Sequence, residues 1–191
     1  MHMRVTKAQA QANRTHIVET ASELFRERGY DGVGVADLMA AAGFTHGGFY
    51  KHFGSKADLM AEAAACGLAK TASAEEALDV AQFFQRYLSR EHRDARSTGC
   101  TMAALCGDAA RQPAAIKATF ADGLEGLLKR AEHAGVENGD QDPHTARARM
   151  IERFAQAVGA IMLSRACPDD APLADEIIEV CRKAIVAPLA D

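Results

Sequence analysis

Tryptophan is absent from this chain, and aromatic residues together make up only 6% of its 191 positions. A β-sandwich or barrel draws on aromatic and β-branched side chains for its faces. Their scarcity, beside abundant alanine, favours closely packed helices. No run with the alternating period of a strand occurs, and no internal repeat or low-complexity tract. Long apolar stretches are missing as well, because charges interrupt each one before it could span a bilayer. The opening MHMRVTKAQAQANRT has no apolar run of the kind a secretory signal needs. Cysteine pairs are lacking too. The five cysteines, at 66, 100, 106, 167 and 181, form no CxxC. An odd count without an export signal is what reduced thiols in a cytoplasmic protein show.

An overall excess of positive charge is also missing: the net charge is −4. Its distribution is informative, however. Residues 1–56 hold seven Lys/Arg against five Asp/Glu, whereas residues 57–191 hold 15 against 21. His2, His16, His46 and His52 lie in the first part. A mildly basic head on an acidic body points to an anionic partner at the head.

What the chain does have is helical punctuation. Thr6-Lys7-Ala8-Gln9 reads as a capping box. It is followed by Ile17, Val18, Ala21, Leu24 and Phe25 on one helical face, with Gly29 as the stop. A short second helix is predicted from Val35 to Ala42, broken by Gly43. Thr45 caps a third, reaching about Phe53. Ser55-Lys56-Ala57-Asp58 is a second capping box, opening a longer helix to about Lys70. Further helices are predicted over 74–90 and 98–112, and after Pro113. A polar loop covers 135–141, and Asp142-Pro143 starts a helix to about Arg165. The loop 167–172 precedes a last helix. The expected fold is all-α: a three-helix head over residues 1–56 and a larger helical body over 57–191.

Two short helices around Gly43, preceded by a longer one, make a helix-turn-helix unit. In its second helix Phe49 and Phe53 are four apart and can face the core. Thr45, His46, Gly48, Tyr50 and His52 can then face outward. Glycine inside a helix is unfavourable by up to ~1 kcal/mol against alanine. Close approach of backbone to DNA is one reason to carry it.

Residues 29–59, GYDGVGVADLMAAAGFTHGGFYKHFGSKADL, closely resemble the signature of the TetR family of bacterial repressors. The features matched are an aromatic after Gly, a short helix, Ala-Gly, a recognition helix with Tyr-x-His-Phe, then Ser-Lys and Leu. The segment 99–105, GCTMAAL, with AARQP at 109–113, resembles the effector domain of one TetR subgroup. The resemblance implies a DNA surface of Thr45, His46, Gly47, Gly48, Tyr50, Lys51, His52 and Lys56. Tyr50, His52 and Lys56 would meet phosphates, and Thr45 and His46 would reach base edges. Gly34 stands where the family often has a Ser or Thr that caps helix two. Arg4, Lys7 and Arg14 are either a phosphate-binding arm or a solvated end.

For the body, the resemblance implies a homodimer through the last two long helices, about 142–187, and a cavity for an unidentified small effector. Ala148, Ala155, Gly159 and Ala160 would allow close helix approach. Met150, Phe154, Ile161, Ile177, Ile178 and Ile185 would supply apolar area to that interface. Candidate cavity residues are Phe83, Phe84, Tyr87, Met102, Leu105, Cys106, Phe120, Leu124, Met150 and Phe154. An alternative trigger is thiol modification at Cys100 or Cys106, with Arg93, Arg96 or Arg111 lowering the thiol pKa. Those two thiols are separated by about 9 Å of helical rise, too far for a direct disulfide. No dinucleotide loop, GxSxG or HExxH is present, so neither an enzyme nor a cofactor is expected. Asn138, Asp140, Asp142 and His144 lack the Gly and Glu of a calcium loop, so no metal is expected either. A helical adaptor with a protein-binding head is the remaining class, and salt-dependent DNA binding would exclude it.

Overall fold

The computed structural model describes residues 6–74, 78–137 and 142–189. These are helical, with no strand among them. Helix α1 spans Lys7–Arg28, and the Thr6 hydroxyl accepts from the Gln9 amide at 3.1 Å. The Gln9 side chain turns forward to Asn13 rather than back to the cap, so half of the expected box forms. Gly29 ends the helix at φ +74°, which favours glycine, and donates to the Phe25 carbonyl.

Helix α2, Val35–Ala41, starts at Gly34, whose amide donates to the Asp37 carboxylate. Gly43, at φ +79°, makes the turn that follows. The expected third helix is a 3-10 helix, His46–Lys51. Helix α3, Lys56–Ala74, opens with the Asp58 amide on the Ser55 hydroxyl. Ile17, Val18, Ala21 and Phe25 of α1 bury against Leu38 and Met39 of α2, Phe49 and Phe53, and Leu59 and Met60 of α3. This is the head's core.

The helix expected over 74–90 is shorter, and a second short helix follows it. Helix α4, Val80–Tyr87, is capped by Asp79, which accepts from the Gln82 amide. A short α5, Arg90–Asp94, is capped by Ser89. Helix α6 is Thr101–Ala109 and α7 is Ala114–Glu137. The polar loop predicted from 135 therefore begins later, and residues 138–141 lie outside the described residues. Helix α8, Pro143–Ala166, has Asp142 as N-cap and Pro143 in its first turn, as read from the sequence. Helix α9 is Pro172–Val186, followed by a 3-10 turn. No helix here is long and apolar enough to cross a membrane, among the described residues.

Helix α3 packs along α1 on one side and α7 on the other, and so joins head to body. Helices α7, α8 and α9 pack in succession, and α6 touches α1, α3, α7 and α8. Arg93, only 1% exposed, donates to the Ser164 hydroxyl at 2.9 Å and pairs with Asp94 and Asp169. A buried guanidinium is tolerable only with such partners. This one fixes α5 to the end of α8.

Candidate nucleic-acid interface and ligand cavity

The 3-10 helix His46–Lys51 is held from beneath. Phe49 and Phe53 are buried, with ring centroids 5.4 Å apart. Arg14 of α1 lies over Phe53, pairs with Glu62 of α3 and donates to the His52 carbonyl. It therefore ties α1, α3 and the 3-10 helix together, and is not a free arm. Lys7 is exposed, and Arg4 lies outside the described residues.

Above that base, Thr45, His46, Gly47, Tyr50 and Lys51 are exposed, while Gly48 and His52 are half-buried. Tyr50 is 68% exposed, with its ring edge-on to Phe49 and His46. The phenol thus stands clear of the head's own core. A Cβ at Gly47 would meet nothing within 4 Å, and one at Gly48 only ordinary contacts with Met39 and Thr45. Neither glycine is thus required by the head itself. The Lys56 ammonium donates to the Tyr30 carbonyl at 2.6 Å and lies 5.9 Å from the Phe25 ring. That bond uses one of its three hydrogens and leaves two to offer outward.

The ten candidate cavity residues do not form one pocket. Phe83, Tyr87, Met102, Leu124 and Phe154 line a small apolar cavity of about 30 Å³, together with Leu68 and Leu127. Phe84, Leu105, Phe120 and Met150 are buried in the core outside that lining. Cys106 lies against Met162, with the two sulfurs 3.5 Å apart. A larger cavity, of about 280 Å³, lies between α1, α3, α4, α5 and the segment before α6. Arg26, Lys70, Arg86, His92 and Cys100 are in its wall. Sequence reasoning missed it because its wall is assembled from five separate segments: α1, α3, α4, α5 and the stretch before α6.

Two of the three arginines proposed to activate the thiols are engaged elsewhere. Arg93 serves Ser164 and the aspartates, and Arg111 pairs with Asp108. Burial raises the Cys106 thiol pKa above its ordinary value, which disfavours the reactive thiolate.

The residues expected to form the dimer interface separate into two sets. Met150, Phe154, Ala160, Ile161, Ile178 and Ile185 are buried within this one chain. The outward stripes of the same two helices carry the rest of that set together with further residues. On α8 these are Ala148, Ile151, Ala155, Gly159 and Met162, and on α9 Leu173, Ile177, Val180 and Ala184. Among them Ile151, Met162, Leu173 and Val180 are exposed large hydrophobics, as is Leu163.

Residues 17–63 match the model of bacterial regulatory proteins of the tetR family. Over 59 residues the chain is 41% identical to the HTH-type transcriptional regulator AcrR of Shigella flexneri, covering 31% of this chain and 27% of that protein. Over 43 residues it is 51% identical to the HTH-type transcriptional repressor DhaR of Mycobacterium sp. (strain GP1), covering 22% of each. These matches span about a quarter of the relatives' lengths. Over nearly the whole chain the fold is shared with solved structures. The reduced form of E. coli NemR superposes with a TM-score of 0.73 at 19% identity, covering 91% of this chain and 96% of that one. A tetR-family regulator from Cytophaga hutchinsonii gives 0.72 at 18%, covering 97% and 98%.

Proposed function

We propose that this chain, whose N-terminal head matches the tetR family of bacterial regulatory proteins, represses transcription as an effector-controlled homodimer. Its class, a transcriptional regulator with a DNA-binding domain, follows from the family. The observation that carries the finer reading is the exposed row Thr45, His46, Tyr50 and Lys51 on a 3-10 helix anchored by two buried phenylalanines. That element would enter the major groove, with Thr45 and His46 at base edges and Gly47 and Gly48 allowing close approach. Tyr50, Lys51, His52 and Lys56 would hold phosphates.

We take residues 1–56 as the head and 57–191 as the body. The stripes on α8 and α9 would pair two copies as a four-helix bundle. This would set the heads for half-sites one turn apart, ~34 Å. A ligand in the body would favour another head spacing and weaken operator binding.

Selection of the purified protein against random duplex DNA tests this. A palindrome with half-sites about one helical turn apart is expected. Tyr50→Ala and Lys51→Gln should weaken binding to it, and Lys51→Gln should also lower the salt slope by about one contact. Absence of enrichment at low salt would refute sequence-specific binding by the head.

A further inference from the structure

The cavity of about 280 Å³ is where the head's longest helix meets the body. Arg26, in its wall, belongs to α1 and is 7% exposed. Its guanidinium donates to the Ser97 carbonyl at 2.7 Å and the Ser22 hydroxyl at 2.6 Å. Both partners are neutral. No carboxylate pairs with Arg26 among the described residues, although a buried guanidinium ordinarily requires one. Desolvation accordingly lowers its pKa from the usual value.

The surroundings repeat this imbalance. Arg86 of α4 is exposed at the mouth, and Lys70 of α3 is paired there with Glu19. Glu23 is the one acid in the wall, so the lining remains net positive. Cys100, also in the wall, is the N-cap of α6, which has no side-chain cap and no acid in its first turn. The first amides of a helix have no partner within it and carry its positive end.

A second, independent feature lies at the Gly67 wall. A Cβ there would sit 2.4 Å from both an Arg26 nitrogen and the Thr101 hydroxyl, so glycine is needed to let these groups converge. Thr101 is 1% exposed and its hydroxyl has no hydrogen-bond partner among the described residues. Thr71, Tyr87 and Cys100 also line the small apolar cavity, so the polar space continues into an apolar one.

We infer that this cavity binds a small amphipathic anion, whose carboxylate or phosphate lies between Arg26 and Arg86 against the N-terminus of α6. Its apolar part is directed toward Tyr87 and the apolar cavity. The anion supplies Arg26 with a direct ionic partner, beyond the unbonded attraction of Glu23, and touches α1. This deepens the reading of the protein as ligand-responsive and rests on it for its consequence at DNA.

Calorimetric titration of the full-length protein at fixed ionic strength, with benzoate and with phenyl phosphate, tests the site. Saturable binding of one or both is expected, and which one binds separates carboxylate from phosphate. Benzyl alcohol, the neutral analogue, should bind at least about tenfold more weakly. Arg86→Gln, a surface change that leaves the core intact, should weaken anion binding about tenfold, and Arg26→Gln more. Lys117→Gln, on the exposed side of α7, should leave it unchanged. If neither anion saturates the protein up to about 10 mM, or if Arg86→Gln binds as tightly as the parent, the site is overturned. The regulatory reading fails separately: an enriched operator whose affinity ignores a bound anion refutes ligand control and leaves the site standing.

Discussion

His92 shows how a single residue's hydrogen bonds fix its charge. The Cys100 amide donates to its Nε2 at 3.1 Å, so that nitrogen must accept. Nδ1 lies 2.7 Å from the Tyr87 carbonyl, which can only accept, so the ring proton is on Nδ1. The imidazole is therefore neutral with both nitrogens satisfied. Burial lowers its pKa, and nearby Arg165 and Arg86 add to the effect, against an opposing bond to Tyr87. The ordinary value is 6.5. As pH falls through it, the unfolded chain takes up the proton first, so stability is full above that pH and declines below it. Urea unfolding across this range should show that decline in the parent and a flatter profile in His92→Gln, whose amide can serve the same two partners. Identical slopes would show that His92 titrates freely.

Residues of this kind were the least legible in the sequence. Arg26 drew no notice in the sequence, because its partner Ser97 is 71 positions away. Lys56 read as a phosphate contact and Arg14 as either a phosphate-binding arm or a solvated end, and their partners Tyr30 and Glu62 are also remote in sequence.

Elements were more legible, because their signals are local. The Gly29 and Gly43 breaks and the Asp142-Pro143 start are set by backbone chemistry within a few residues, and the structure has each of them. The shortening of the expected 74–90 helix and the short helix after it escaped notice, since Ser89 and Asp79 are common surface residues until their caps are seen. The recognition element departs from expectation in type. Two adjacent glycines weaken α-helical preference, and the segment winds as a 3-10 helix instead. This gives a test that separates folding from binding. A methyl group at Gly47 meets nothing, and one at Gly48 meets only Met39 and Thr45 at ordinary distance. Gly47→Ala and Gly48→Ala should leave stability unchanged or raise it by at most about 1 kcal/mol each, read as an unchanged or higher melting temperature. If the glycines serve approach to DNA, operator affinity should nevertheless fall, as read by fluorescence anisotropy. Unchanged affinity in both variants would assign the glycines no part in DNA contact.

At the scale of the whole molecule, the set of residues that the sequence assigns to association on α8 and α9 divides between the chain's own core and its outside. Met150, Phe154, Ile161 and Ile178 share a helical period with the outward residues, and period alone cannot say which stripe faces the chain's own core. The packing of α8 against α7 and α9 decides it. What remains outside on the two helices includes the exposed Ile151, Met162, Leu163, Leu173 and Val180. Small residues Ala148, Ala155 and Gly159 run through it, and a Cβ at Gly159 would meet nothing within 4 Å, so a second helix can approach closely there. Leu163 is 61% exposed and Val180 is 59%. Introducing glutamate at either removes little from the monomer's core, whereas in a dimer it buries an unpaired charge near the two-fold axis. Light scattering after size exclusion should therefore find the parent as a dimer, and Leu163→Glu with Val180→Glu as a monomer of unchanged helical content. Because a lone head reaches only one half-site, the monomer should lose most of its affinity for a palindromic operator while keeping weak, salt-sensitive binding to any duplex. A double variant that stays dimeric would place the interface elsewhere, and one that is monomeric yet binds the operator at full strength would remove the need for a dimer.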